Sequence, residues 1–404
     1  MITPSHRLES IVPQFFAALD EKLVALRAAG KDAIRLDVGS PDLPPAPHIL
    51  ETLYRSAAQP DRHGYQPHKA TPAYRLAWGS MYQRLYGVKL DTDREIVPLL
   101  GSKEGIFHLM LALIDPSDVV LIPDPGYITY TQGTLIAGGE PFFLPINPEN
   151  GFLPDLGNIP SEILRRTKVL WLNYPNNPTA ATASLEYFAE VVRFAREHHF
   201  LVCHDAAYSQ VSFEGRSTPS ILQLPGAHEV AIEFNTLSKS HNMAGWRLCA
   251  ALGNPQALRA LFTLKTHADS GYFLPLLEAA TAAMTGDQEW LSARNEIYRQ
   301  RRDLVIEALA ELGVNVPPPS ASLYIWCPIP AGWQAVEFTE TILEKALVSF
   351  APGTIFGQNG EGYVRISLTT PSERLRTAMQ RLLDNRDVWM PKALNHEPRR
   401  GSIR

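Results

Sequence analysis

Asn235-Thr236-Leu237-Ser238-Lys239-Ser240-His241-Asn242-Met243-Ala244-Gly245-Trp246-Arg247 is the stretch on which the reading of this chain turns. A strand-like run, Val230 to Phe234, leads into it. Two hydroxyls flank a leucine, a lysine follows, and an arginine stands eight residues after the lysine. A lysine that does covalent chemistry must spend part of its time as a neutral amine, because an ammonium with a pKa of about 10.4 is a poor nucleophile. Burial and a neighbouring cation both lower that pKa. Thr236, Ser238 and Arg247 are spaced to hold a phosphate close to Lys239, with Arg247 acting as a fork of donors. Together these residues describe a pocket for pyridoxal 5'-phosphate with Lys239 as the Schiff-base residue. Alone, the stretch also reads as a surface lysine after a strand.

The chain around it has 404 residues, enough for one large and one smaller domain. Hydrophobic content of 45% and charged content of 20% are ordinary for a globular enzyme. A net charge of −5 without a long basic run argues against nucleic acid as a partner. No apolar run reaches membrane-spanning length, and the N-terminus has no signal-peptide layout, so no membrane partner is expected. Cys203, Cys249 and Cys327 lie in separate apolar runs and fit neither a disulfide framework nor a zinc site. They read as buried, reduced thiols in a cytoplasmic protein. Cys203-His204 is no metal pair if both lie on one strand, since adjacent residues there face opposite ways.

Before the lysine stretch, strands and helices alternate. Gln14 to Ala29 has helical periodicity and Ala33 to Val38 reads as a strand that runs into Gly39-Ser40-Pro41-Asp42, where a glycine permits close approach of a ligand, although alone the segment reads as a plain Pro/Gly turn. A polar loop, Asp61 to Lys69, carries Tyr65 and precedes a helix from Pro72 to Tyr86. Ile96 to Leu100 is a strand, and Gly101-Ser102-Lys103-Glu104-Gly105 opens a helix. This is an anion site of free N–H groups and helix dipole, offered by Ser102 and the backbone around Lys103. The turn lacks the spacing of a nucleotide-binding P-loop, and no G-x-G-x-x-G follows a first strand. The strand Val119 to Pro123 delivers Tyr127, which either stacks on a flat ring or packs a turn. Lys168 to Leu172 ends in Asn173-Tyr174-Pro175-Asn176-Asn177-Pro178-Thr179, at the place where parallel sheets put ligand contacts. Phe200 to Cys203 delivers Asp205 and Tyr208. A carboxylate there keeps a pyridine nitrogen protonated, although an aspartate at a strand end also serves as a cap.

Beyond the lysine, helices over Ala257–His267, Leu274–Met284 and Asp287–Leu312 lead to a second unit. There Leu323 to Trp326 is a strand, Val336 to Ala346 a helix, and Ser349 to Gly353 a tight entry to a loop. Gly362 to Leu368 alternates around Arg365, either a fork for a substrate α-carboxylate or a charge on a solvated face. After Ser372-Glu373 a last helix runs to about Leu383, and the tail from Lys392 to Arg404 is polar, basic and read as disordered.

In this order the motifs resemble those of the class I/II aminotransferases of fold type I, from about Pro13 to Asn385. Gly101 to Ile106, Asp205 to Glu214, Ser238 to Arg247 and Gly362 to Ile366 look most like the LL-diaminopimelate aminotransferase-like branch. The resemblance implies an α/β fold with a mostly parallel central sheet sandwiched by helices, and a smaller α+β domain built from both chain ends. It divides the chain into an N-terminal segment 1–40, a cofactor domain 41–286, a small domain 287–390 and a tail 391–404. It implies Lys239 as Schiff-base residue and acid/base, Asp205 against the pyridinium nitrogen, Asn177 and Tyr208 at the phenolic oxygen, and Tyr127 stacked on the ring. Ser102, Lys103, Thr236, Ser238 and Arg247 would surround the phosphate, joined by Tyr65 from the partner of a homodimer. Gly39, Lys103, Tyr127, Asn177 and Arg365 would hold the substrate. The implied reaction moves an amino group from an amino acid to a 2-oxo acid, with LL-diaminopimelate and 2-oxoglutarate as candidates. The same scaffold also supports β-elimination or decarboxylation, and a non-catalytic regulatory domain is the alternative of another class. The sequence departs from the family at Ala180, where glycine is usual, at Ala244, where threonine is common, and near Gln14, where the branch carries a tyrosine. These leave the cofactor chemistry intact and bear on side-chain specificity.

Overall fold

Six apolar runs between residues 96 and 253 carry buried side chains on both faces, the pattern of strands covered on two sides. The structure, a computed structural model, describes residues 2–9, 11 and 15–392. The first short strand is β1 (Ile34–Arg35). The main sheet follows, with β2 (Ile96–Leu99), β3 (Val119–Asp124), β4 (Glu140–Pro145), β5 (Thr167–Leu172), β6 (Leu201–Asp205), β7 (Ala231–Thr236) and β8 (Cys249–Gly253). Their order across the sheet is β2-β8-β7-β6-β5-β3-β4. β8 runs antiparallel to both of its neighbours, and every other joint is parallel. One face packs against helices 102–113, 129–137 and 255–268 through Ile106, Met110, Tyr130, Leu258 and Leu261. The other packs against helices 47–57, 72–86, 185–198 and 274–285 through Ile49, Trp78, Phe188 and Leu277. This is the mostly parallel, helix-sandwiched α/β sheet that the motif order implies.

A second core forms around β9 (Tyr324–Pro328), β11 (Ala351–Pro352) and β12 (Tyr363–Ser367), an antiparallel sheet in the order β11-β12-β9. β1 pairs in parallel with β10 (Val348–Ser349), so the N-terminal part of the chain adds to this core. The long helix Glu289–Glu311 joins the two bodies. Its Arg294 donates to the backbone carbonyls of Lys239 and Ser240, and its Arg301 forms a two-pronged pair with Asp42 at 2.7 and 2.9 Å. Both contacts hold segments that the sequence marks as functional.

Helix boundaries fall close to expectation where a cap is present. Thr71 accepts from the Tyr74 N–H at the start of helix 72–86, and Ser184 accepts from the Tyr187 N–H at the start of helix 185–198. The strand expected over Ala33 to Val38 is two residues long, because past Leu36 the chain turns to the cavity and the Asp37 carbonyl is taken by Arg365. The tight entry at Ser349–Gly353 is partly strand, as β10 and β11. β4 has no counterpart among the expected strands; it is a half-exposed edge strand with a proline at its end. The departure noted near Gln14, and the tail from residue 393 onward, lie outside the described residues. Among the described residues no helix is long and apolar enough to cross a membrane.

Candidate active site

The parallel strands all release their chains at the same edge of the sheet, so the residues that follow them converge. β3 delivers Tyr127, β5 delivers Asn173 and Asn177, β6 delivers Asp205 and Tyr208, and β7 delivers Thr236, Ser238 and Lys239. Opposite them stand Gly39, Tyr324 and Arg365 from the second body. The space between is a cavity of about 840 Å³.

Lys239 reaches across this space and donates to the carbonyl of Gly39. Burial lowers its pKa from the usual lysine range. The charges of Arg365 and Arg247 push in the same direction, while Tyr324 and Asp205 oppose them. Lys239 is therefore biased toward the neutral amine that nucleophilic work requires.

Asp205 is 4% exposed. Its Oδ2 accepts from the Tyr130 hydroxyl at 2.9 Å, and its Oδ1 has no hydrogen-bond partner. Burial pushes its carboxyl up to about 6, and the Tyr130 hydrogen bond resists that rise. The Tyr130 ring is fixed by stacking on Trp171, with centroids 4.6 Å apart and planes 8° from parallel. Asn173 holds the backbone of Asp205 through an Nδ2-to-carbonyl bond of 2.7 Å. A buried carboxylate oxygen without a donor is costly unless something in the cavity supplies one.

A third corner is built for an anion. The helix Ser102–Leu113 begins at Gly101 with no side-chain cap, which leaves its first N–H groups free. Thr236 and Ser238 lie together, hydroxyl to hydroxyl at 2.9 Å. Arg247 closes the corner so tightly that a Cβ on Gly101 would overlap its Nη2; the φ of +96° at Gly101 disfavours other residues as well. Ser102, Thr236, Ser238 and Arg247 all line the cavity. Lys103 also lines it but is exposed.

The fourth corner holds Arg365, 4% exposed. Its guanidinium donates to Asn177 Oδ1 at 2.8 Å and to the Asp37 carbonyl at 2.6 Å, and its Nε has no partner. No carboxylate pairs with it among the described residues. The ring of Tyr324 lies 4.1 Å from the guanidinium carbon and that of Phe356 4.8 Å. A buried cation set on aromatic faces, with a donor to spare, is complementary to a carboxylate.

The structure thus brings together Gly39, Ser102, Lys103, Tyr127, Asn177, Asp205, Tyr208, Thr236, Ser238, Lys239, Arg247 and Arg365. Tyr65 is not among them. It is 92% exposed on its loop. Two residues escaped sequence reasoning. Tyr130, one helical turn beyond Tyr127, carried no signal apart from its spacing. Tyr324 places its hydroxyl 2.9 Å from that of Tyr208 and sits where a Cβ on Gly39 would overlap its oxygen. Tyr324 lies two residues from Trp326, the cross-strand neighbour of Arg365, and only that register could have pointed to it.

The sequence profile described as Aminotransferase class I and II matches residues 31–382. The chain is 50% identical over 378 residues to LL-diaminopimelate aminotransferase of Desulforudis audaxviator, 94% of this chain and 96% of that one. It is 47% identical over 378 residues to LL-diaminopimelate aminotransferase of Moorella thermoacetica, 94% of this chain and 97% of that one. Among solved structures, substrate-bound BacF from Bacillus subtilis superposes with a TM-score of 0.92 at 35% identity, covering 95% of this chain and 98% of that one. A probable N-succinyldiaminopimelate aminotransferase from Thermus thermophilus gives a TM-score of 0.87 at 37% identity, covering 93% of this chain and 100% of that one.

Proposed function

The chain belongs to the class I and II aminotransferases, and we propose that it transfers the amino group of LL-diaminopimelate to a 2-oxo acid such as 2-oxoglutarate, with pyridoxal 5'-phosphate as cofactor. The observation that carries the reading is the pairing of two orphaned buried groups, Asp205 Oδ1 and Arg365 Nε, in one cavity with Lys239. The residues present fit the cofactor. Asp205 supplies a carboxylate oxygen lacking a donor, and Ser102, Lys103, Thr236, Ser238 and Arg247 supply a cradle for phosphate. When bound, pyridoxal 5'-phosphate supplies an electron-poor pyridinium able to take up the electron pair left when a Cα–H bond breaks.

The chain's own residues do the rest. Asp205 holds a proton at the ring nitrogen, which is the job its unpaired oxygen suits. Asn177 and Tyr208 would donate to the phenolic oxygen and Tyr127 would cover the ring, while Tyr324 steadies the hydroxyl of Tyr208. Arg365 forks onto the substrate α-carboxylate, with Asn177 and Gly39 beside it. Lys239, its pKa lowered, takes the proton from the substrate Cα. Lys103 and Gln132 offer polar groups to the far end of LL-diaminopimelate; both line the cavity.

Residues 41–286 carry the cofactor, 287–390 form the smaller unit with the segment 1–40, and two copies associate so that the exposed Tyr65 enters the partner's site. Three buried, unpaired cysteine thiols accord with a cytoplasmic protein. The test is the absorption spectrum of protein supplied with pyridoxal 5'-phosphate. LL-diaminopimelate should bleach the yellow band and 2-oxoglutarate should restore it. A yellow protein that ignores LL-diaminopimelate rules out that donor, and absence of a yellow band rules out the role of Lys239.

A further inference from the structure

His204 has no place in the chemistry above, yet it stands next to Asp205 on β6 and points to the other face of the sheet. Cys203 belongs to the core on one face, and the His204 ring packs 4.8 Å from the ring of Phe188 on the opposite one. The side chain is completely buried, as is that of Glu233, directly across the ladder on β7. His204 Nδ1 lies 2.8 Å from Glu233 Oε2, and its Nε2 lies 3.0 Å from the Tyr174 carbonyl oxygen. A carbonyl only accepts, so Nε2 carries a proton. The other nitrogen faces a carboxyl group whose oxygens already accept from the Tyr82 hydroxyl at 2.6 Å, the Ser220 hydroxyl at 3.0 Å and the Ile221 N–H at 3.2 Å. Asn235 Nδ2 donates to the Tyr82 oxygen at 3.2 Å, which commits the Tyr82 proton to Glu233. Oxygens so supplied with donors belong to an ionised carboxylate, so Nδ1 carries a proton as well and the ring is an imidazolium.

A buried ion pair is weak support for stability, since apolar residues of similar volume often serve as well. This one is placed to act on the site at two points. Tyr174 opens the turn that ends in Asn177, the partner of Arg365. Asn173 ties the same strand ends together, donating to the Asp205 carbonyl and accepting the Asn177 N–H at 2.7 Å each. The positive ring is also the chain neighbour of Asp205, whereas Glu233 lies one strand further on. Burial raises the Asp205 carboxyl, and among the influences that oppose it the charge of His204 follows the Tyr130 hydrogen bond. A cation behind a carboxylate favours the arrangement in which the carboxylate is ionised and a shared proton sits on the group in front of it.

We infer that His204 is a positioning residue of the amino-transfer site: its charge holds the shared proton on the cofactor's ring nitrogen rather than on Asp205, and its Nε2–H pins the turn that carries Asn177. This rests on the cofactor reading above.

The cofactor-free parent protein tests the charge first. Nitrogen NMR spectra of protein carrying isotope-labelled histidine, in mildly alkaline buffer, should show an imidazole with both nitrogens protonated and neither proton exchanging readily with water. Absence of such a ring overturns the inference. Glu233→Gln then removes the charge and keeps the bond, because a glutamine amide can donate to Nδ1 while Nε2–H still meets the Tyr174 carbonyl. The probe is 4-deoxypyridoxine 5'-phosphate, which has the cofactor's ring but no aldehyde to react with Lys239, and whose absorption distinguishes a protonated from a neutral ring nitrogen. In a pH titration of the bound probe, the ratio of protonated to neutral ring should be roughly three- to tenfold lower in Glu233→Gln than in the parent. With LL-diaminopimelate, kcat should fall by a similar factor and KM should stay nearly constant. A His204→Phe, Glu233→Gln double variant also loses the bond to Tyr174 and should raise that KM about three- to tenfold. A probe titration identical in parent and Glu233→Gln, or a KM unchanged in the double variant, would overturn the inference. The parent protein separates the two failures. If it binds the probe and its spectrum answers to LL-diaminopimelate, only the role of His204 is lost; if it binds neither the probe nor pyridoxal 5'-phosphate, the cofactor reading falls too.

Discussion

Replacing Tyr130 by phenylalanine removes a single hydroxyl and should make the stability of the cofactor-free protein depend on pH in a new way. Asp205 is buried, and desolvation pushes its carboxyl from 3.8 up to about 6. Two pH units correspond to ~3 kcal/mol. The sign follows from linkage. A carboxyl whose folded pKa lies above its unfolded value costs nothing at low pH, where it is protonated in both states. The cost grows as pH rises from about 4 to about 6 and is constant above that. The Tyr130 hydroxyl, 2.9 Å from Oδ2, is the largest influence opposing the shift, and Oδ1 has no donor to compensate for its loss. A hydrogen bond to a charged group is worth about 1.5–3 kcal/mol, so Tyr130→Phe should raise the carboxyl by roughly one to two further units. The phenylalanine keeps the stack on Trp171, so the packing change is small and independent of pH. Urea unfolding at pH 5 and pH 8.5 isolates the effect. The variant should lose about 1.5–3 kcal/mol more at pH 8.5 than at pH 5. A destabilisation equal at the two pH values, within about 0.5 kcal/mol, would refute the assignment of Tyr130 as the group that keeps Asp205 ionisable.

Three other outcomes are expected. Arg365→Lys exchanges a planar fork for a point charge and should raise KM for the amino donor about ten- to a hundredfold, with kcat changed less, as steady-state kinetics would show. Gly39→Ala puts a methyl where the Tyr324 hydroxyl now lies. It should displace that ring from Tyr208 and lower kcat/KM at least about tenfold, by analogy with other misplaced site groups, while the unfolding midpoint stays near that of the parent. Mixing inactive Tyr65→Ala chains with inactive Lys239→Ala chains should restore up to about a quarter of the parent activity after subunits exchange, because each hybrid dimer has one complete site. Failure to recover activity when hybrids are demonstrably present would show that Tyr65 serves no partner's site.

The residues that sequence reasoning placed best are those that follow a buried strand directly. Asn177 trails β5, Asp205 ends β6, and Thr236 to Lys239 leave β7. An apolar run fixes the strand, the direction of a parallel sheet fixes which end faces the ligand, and so the next few polar residues are placed by chain connectivity alone. The glycine turn at 101 is legible for the same reason, since strand, glycine and helix start are contiguous. Read alone, Arg365 and Gly39 favour bland alternatives, a solvated charge and a plain turn. What settled their place was the packing of the second body over the strand ends, which buries Arg365 against Tyr324 and Asn177 and brings Gly39 to Lys239. Tyr130 and Tyr324 could not be selected at all, because their partners lie 75 and 116 residues away in the chain. Connectivity is written in the sequence residue by residue. The meeting of distant side chains depends on strand register and on how two cores dock, and these emerge only from the packed whole.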